Sequence, residues 1–163
     1  MERNLTTTGV LDLKSKYSGV ERSGIIADFL GVDNYSLTRK AARLQMPRVA
    51  GVYMNRLKRG IKLDADPTVK FALNDPSIKR ILLRHLKVDS PYNTYLYAGL
   101  PPGPITIPST RGIDAVLGYE NHDYLYFCAS AKMDGTHKFA RTLGEHNRNA
   151  REYHAALNRL KIR

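Results

Sequence analysis

The stretch from Asn93 to Thr110, NTYLYAGLPPGPITIPST, restricts the possible folds more than any other part of the sequence. Pro101, Pro102, Pro104 and Pro108 each fix φ and lack a backbone donor, so none belongs in a central strand or in the middle of a helix. The segment therefore reads as a stiff loop between two short apolar runs. A stiff loop gives up little conformational entropy on binding, which suits one wall of a ligand cleft. It also suits a corner that only turns the chain, as most Pro/Gly clusters do.

Around this loop, 163 residues suffice for one domain that buries roughly two thirds of its unfolded surface without staples. The single Cys128 has no internal partner and lies in the apolar run YLYFCAS, so it reads as a small buried residue rather than a nucleophile. No apolar stretch approaches the roughly 18 residues that span a bilayer, and MERNLTTTGV lacks a signal-peptide core, so the chain as given reads as soluble. Its formal charge of +11 points to nucleic acid, anionic lipid or anionic polysaccharide without choosing among them. Between Asn34 and Leu63 there are eight basic residues and no Asp or Glu.

Residues 1–34 carry little periodicity beyond a short helical pattern at GIIADFLG and read as a poorly anchored lead-in, with order beginning near Tyr35. PRVAGVYMNRLKRG follows, with Val49, Val52, Tyr53 and Leu57 on one helical face and Gly60 at its stop. Two more helices are expected at PTVKFALN, with Asp66 as cap, and at PSIKRILLRHL, where Ile78, Ile81, Leu82 and Leu86 form the apolar stripe. STRGIDAVLGY reads as a short helix, DYLYFCAS as a buried strand, and HKFA as its hairpin partner. TLGEHNRNAREYHAALNRL places His146, Ala150, Tyr153, Leu157 and Leu160 on a packing face. Helices segregated from a small, mostly antiparallel sheet make a single α+β domain over residues 35–163.

The familiar chemical motifs are missing. Histidines 85, 122, 137, 146 and 154 are scattered, so no metal site and no cofactor are expected. There is no GxSxG elbow and no Gly-rich phosphate loop. What stands out is a set of polar side chains at the ends of apolar elements: Asn55 and Arg56, then Asp66 and Thr68, then Tyr92, Asn93, Thr94 and Tyr95. A sugar presents hydroxyls at its rim and C–H bonds on its faces, which amides, hydroxyls and tyrosine rings match. Each of these residues taken singly also suits a helix cap or a turn.

In order along the chain, VAGVYMNRLKRGIKLDADPTVKFAL, SPYNTYLYAGLPPGPITIPS, HDYLYFCAS and HKFARTLGEHNRNAREYHAALN resemble successive blocks of the endolytic murein transglycosylases, the YceG-like family once labelled aminodeoxychorismate lyases. The resemblance runs from about Met46 to Leu160. It implies a peptidoglycan-cleaving lyase, anchored in the cytoplasmic membrane by an N-terminal helix absent here and facing outward, with glycan strands as substrate and wall-synthesis proteins as neighbours. In that family one glutamate protonates the bond between N-acetylmuramic acid and N-acetylglucosamine, then deprotonates the muramyl 6-hydroxyl to close a 1,6-anhydro ring. The nucleophile belongs to the substrate, so the second carboxylate of ordinary glycosidases is not needed.

The chain departs from the family where that glutamate is expected, near Leu37 in SLTRKAARLQ, which holds no carboxylate. Three readings fit: a non-native segment before Met46 on an intact scaffold, a fold that binds glycan without cutting it, or an acid from elsewhere. The substitutes are Glu21, Asp66 and Glu145, of which Glu145 suits a helix N-terminus. A transglycosylase domain and a non-catalytic glycan-binding module are thus the two main readings. A nucleic-acid binder is the third, without any reader motif or aromatic platform, and steep salt dependence would distinguish it.

Overall fold

Helix α1, Met46–Lys58, has Pro47 in its first turn and Arg56 and Lys58 in its last, where basic charge complements the helix dipole. The computed structural model describes residues 44–160 except 76, 79 and 80. The expected lead-in over 1–34, its GIIADFLG helix and the Leu37 segment lie outside the described residues. In α1, Val49, Val52 and Tyr53 are buried as the spacing predicts, and Leu57 is half-buried. The chain leaves the helix through Gly60 at φ 65°, a left-handed conformation that costs glycine nothing.

Helix α2, Asp66–Leu73, is followed by Asn74 at φ 48°. Its N-cap is Ala65, with no side-chain cap, so the expectation that Asp66 caps this helix is corrected. Asp66 occupies the first helical position and its carboxylate is engaged by Tyr95 instead. The expected helix over 76–86 is also corrected. Its described residues contain only a 3-10 turn, His85–Lys87. A helix that short is marginal without a well-buried face, and of the expected stripe Leu82 is 40% exposed while Ile78, Ile81 and Leu86 are only half-buried. Asp75 instead accepts from the Ser77 N–H at 2.9 Å, a local turn in place of a helical start.

Helix α3, Thr110–Leu117, is capped by Ser109, whose Oγ accepts from the Gly112 N–H at 3.1 Å. Strands β1, Tyr126–Ala129, and β2, His137–Ala140, pair antiparallel with Phe127 opposite Phe139 and Cys128 opposite Lys138. β1 is half-buried rather than buried, because a two-stranded sheet covered on one face leaves part of every side chain open. Cys128 is accordingly half-buried, and burial raises its thiol above the ordinary value, which suits an inert thiol rather than a nucleophile.

Helix α4, Leu143–Arg159, begins with a full capping box between Thr142 and Glu145. Leu157 is buried on its packing face, but Leu160 lies past the helix end and is 57% exposed, so it leaves the predicted stripe. α1 packs against α3, and α4 packs against the hairpin. Met46, Val49, Ala50, Tyr53, Leu63 and Ala115 form the centre of the core, with Phe127 and Phe139 packed on it from the sheet. α1 passes so close to the 118–124 connection that a Cβ on Gly51 would meet the Glu120 carbonyl and lie 2.6 Å from His122 Nε2. The described residues thus form a small α+β unit of four helices and one hairpin, as the sequence predicts.

Candidate functional site

The polar clusters flanking α2 meet in one joint. Asn93, fully buried, donates through Nδ2 to the carbonyls of Leu86 and Val88 at 3.0 and 2.8 Å, and its Oδ1 accepts from the Tyr95 N–H at 3.0 Å. Thr94 ties this turn to the segment before α2. Its carbonyl accepts from the Asp64 N–H at 3.2 Å and its Oγ1 accepts from the Ala65 N–H at 3.1 Å. Thr68 Oγ1 donates to the Ala65 carbonyl at 2.7 Å and lies 2.9 Å from Thr94 Oγ1. Tyr95 Oη donates to Asp66 Oδ1 at 2.6 Å, while the Tyr92 ring packs on Phe71 with centroids 4.7 Å apart.

The end of α1 is tied down just as firmly. Asn55 Nδ2 donates to the carbonyls of His122 and Tyr124 at 2.6 and 3.0 Å. Arg56 is buried: Nε donates to the Lys62 carbonyl at 2.8 Å, Nη1 to the Leu125 carbonyl at 3.0 Å, and Nη2 to Asp64 Oδ2. Its guanidinium carbon lies 5.1 Å from the centre of the Tyr126 ring. Asp64 is one of few non-glycine residues at positive φ, 48°, a conformation that aspartate tolerates better than most.

Between these two anchored regions, α1, the 63–67 segment, β1 and α4 enclose a cavity of about 570 Å³. Its polar lining includes Arg56, Asp64, Asp66 and Tyr95, with Tyr126 and His146 contributed by β1 and α4. Of the residues predicted from sequence, Arg56, Asp66 and Tyr95 line it. Asn55, Thr68, Tyr92, Asn93 and Thr94 are not in the lining; the bonds above place most of them behind it, as the joint that fixes its walls. Beyond Tyr95, no residue of the proline loop, from Leu96 to Thr110, lines this cavity. That loop has no helix or strand, buries Pro101, and brings Leu100 onto the core, which is the work of a corner.

The electrostatics sort the carboxylates. Burial raises Asp64 above its ordinary value, against the Arg56 charge and hydrogen bond. The Tyr95 phenol is pushed far up, first by burial and then by Asp66, so it remains a donor and Asp66 its acceptor. Glu145 lies outside the lining, and its carboxylate accepts from the N–H groups of Arg141 and Thr142, which lowers its pKa. An acid held ionised by two backbone donors is unsuited to deliver a proton near neutral pH. Glu21 falls outside the described residues. His146 stacks on Tyr126 with centroids 5.4 Å apart, and its Nδ1 is buried with no partner among the described residues. Burial and Arg56 both lower its pKa, favouring the neutral ring.

Sequence reasoning missed Asp64, Tyr126 and the cavity side of His146. LDAD, two carboxylates at alternate positions where a helix begins, is the available signal for Asp64. Tyr126 and His146 read as strand and helix packing, and only the docking of α4 on the hairpin turns them towards a common space.

The YceG-like family profile matches residues 39–152. The chain belongs to the YceG-like family. It is 41% identical over 121 residues to an endolytic murein transglycosylase of Bacillus subtilis, an alignment covering 74% of this chain and 32% of the relative. An endolytic murein transglycosylase of Streptococcus pneumoniae is 32% identical over 109 residues, covering 64% of this chain and 20% of the relative. A crystal structure of a YceG-like protein from Listeria monocytogenes superimposes with a TM-score of 0.66 at 34% identity, covering 87% of this chain and 42% of that one. The chain therefore spans a third or less of the length of these curated relatives. No helix among the described residues is long and apolar enough to cross a membrane.

Proposed function

We propose that this chain forms the glycan-strand cleft of a lytic murein endotransglycosylase whose proton donor is missing, so that it holds peptidoglycan strands without releasing 1,6-anhydromuramyl ends. The observation that carries the reading is the cavity between α1, the 63–67 segment, β1 and α4, lined by tyrosines and carboxylates, in a YceG-like chain. Its volume of about 570 Å³ lies within the range of pockets that take small ligands. Tyr95 offers an aromatic surface for sugar C–H bonds, and Asp64, Asp66 and Arg56 offer partners for hydroxyl and amide groups.

Catalysis needs a carboxylic acid that keeps its proton until the glycosidic oxygen takes it. The interval from Asn34 to Leu63 contains no acid at all. Among the substitutes, Asp66 is engaged by Tyr95 and Glu145 by two backbone donors. The family match itself begins at residue 39, after the position where the glutamate is expected. Nucleic acid is not the proposed ligand, because the described cavity joins carboxylates and rings rather than a basic groove.

The test is to incubate the purified chain with uncrosslinked glycan strands, measuring bound strands by sedimentation and new 1,6-anhydro ends by mass spectrometry. Binding without new ends is expected. New ends would sink the missing-donor reading and make Asp66 and Glu21 the first residues to substitute. No binding would sink the cleft reading as well.

A further inference from the structure

We infer that Asp64 is a sugar-hydroxyl acceptor of the cavity, its carboxylate clamped on one oxygen by Arg56 and presented with the other to a β-1,4-linked amino-sugar strand. This assignment rests on the glycan reading above and adds to it the residue that recognises the ligand.

Three independent features converge on this side chain. First, its two oxygens are used unequally. Oδ2 ends on Arg56, whereas Oδ1 has no partner among the described residues and the side chain remains 37% exposed in a residue that lines the cavity. A carboxylate offers about four acceptor sites, so most of its capacity is unspent.

Second, the backbone is held in place from the other direction. Asp64 sits at φ 48°, and its N–H and that of Ala65 are both held by Thr94, at 3.2 and 3.1 Å. A sparsely populated conformation persists only where its surroundings over-determine it, and such positions cluster at ligand clamps. Third, the clamp is itself rigid, since Arg56 also donates to two backbone carbonyls, at 2.8 and 3.0 Å.

The Tyr95 ring lines the same cavity, so the fixed carboxylate and an aromatic side chain border one space. A pyranose ring asks for that combination: an acceptor in register with its equatorial hydroxyls and a flat apolar surface beneath its C–H bonds. Preorganisation on both sides keeps the ordering cost of binding low.

The test compares wild type with Asp64→Asn and Asp64→Glu, using uncrosslinked glycan strands and the same strands after O-methylation, with melting temperature as the folding control. Asp64→Glu keeps the charge beside Arg56 but moves the acceptor by one methylene, so it guards against a folding defect in the asparagine variant. Each folded variant is expected to bind native strands about tenfold more weakly than wild type, the loss of one charge-assisted hydrogen bond. O-methylated strands, which have no hydroxyl donors, should bind wild type and both variants alike. If wild type binds strands and either folded variant matches it, Asp64 is only an ion-pair partner and the inference is overturned while the glycan reading stands. If wild type binds no strands, both fall together.

Discussion

Arg56 shows how one side chain can serve the fold and the site together. It is buried near the end of α1, yet its Nε, Nη1 and Nη2 reach the 62–64 segment and the carbonyl just before β1, and its side chain lines the cavity. Replacing it with methionine keeps much of the volume and removes all of those bonds. The carbonyls of Lys62 and Leu125 would then lack their donor and Asp64 its counter-charge. Arg56→Met is expected to cost about 3 kcal/mol of unfolding free energy, read as a lower urea midpoint at unchanged slope. A loss below about 1 kcal/mol would mean that water satisfies these carbonyls and that the clamp on Asp64 is loose. The sequence marks Arg56 as a polar residue at a helix end, and no local pattern says that it folds back under the sheet. Its partners at Lys62 and Asp64 are near in sequence, but Leu125 is remote, and remote contacts leave no periodic trace.

At the scale of elements, legibility followed how locally each was determined. α1, α3 and α4 carry their own start signals and apolar faces, and all three appear within a residue or two of the expected bounds. The segment 76–86 had as good a stripe, but in the folded chain Leu82 is exposed and Ile78, Ile81 and Leu86 are only half-buried, and a short amphipathic pattern so thinly covered is not enough. Asp64 was missed for the converse reason, since its importance comes from Thr94, thirty residues on, and not from its neighbours. The capping box of α4 makes a specific prediction. Glu145 has its folded pKa lowered by the N–H groups of Arg141 and Thr142. A depressed carboxylate adds stability above its unfolded value, ordinarily 4.5, and loses it as pH falls through the folded value. Glu145→Gln should therefore lower the melting temperature at pH 7, and the gap from wild type should close as the pH drops through and below 4.5. A gap that stays constant with pH would show that the amide loses packing or geometry rather than charge.

At the scale of the molecule, the question is whether the described scaffold lacks only a proton donor. The anchored ends of α1 and α2, the joint around Thr94, and the docking of α4 on the hairpin all lie within residues 44–160. Positioning and acid–base chemistry are separable contributions to a rate: a scaffold holds the strand in register, and the acid acts on whatever is held. Replacing residues 34–45 with a segment that carries the glutamate the family resemblance implies would put a carboxylate where Leu37 now stands. If the cleft is intact, the hybrid should release 1,6-anhydromuramyl ends from uncrosslinked strands at about a hundredfold or more above the unsubstituted chain, the low end of what a positioned general acid contributes. Changing that one introduced glutamate to glutamine should abolish the gain while leaving strand binding unchanged. A hybrid that binds strands as tightly as the parent and still releases no ends would show that more than the donor is missing. The cavity carboxylates would then belong to a binding module, and Asp64 would remain its best-placed contact with the sugar.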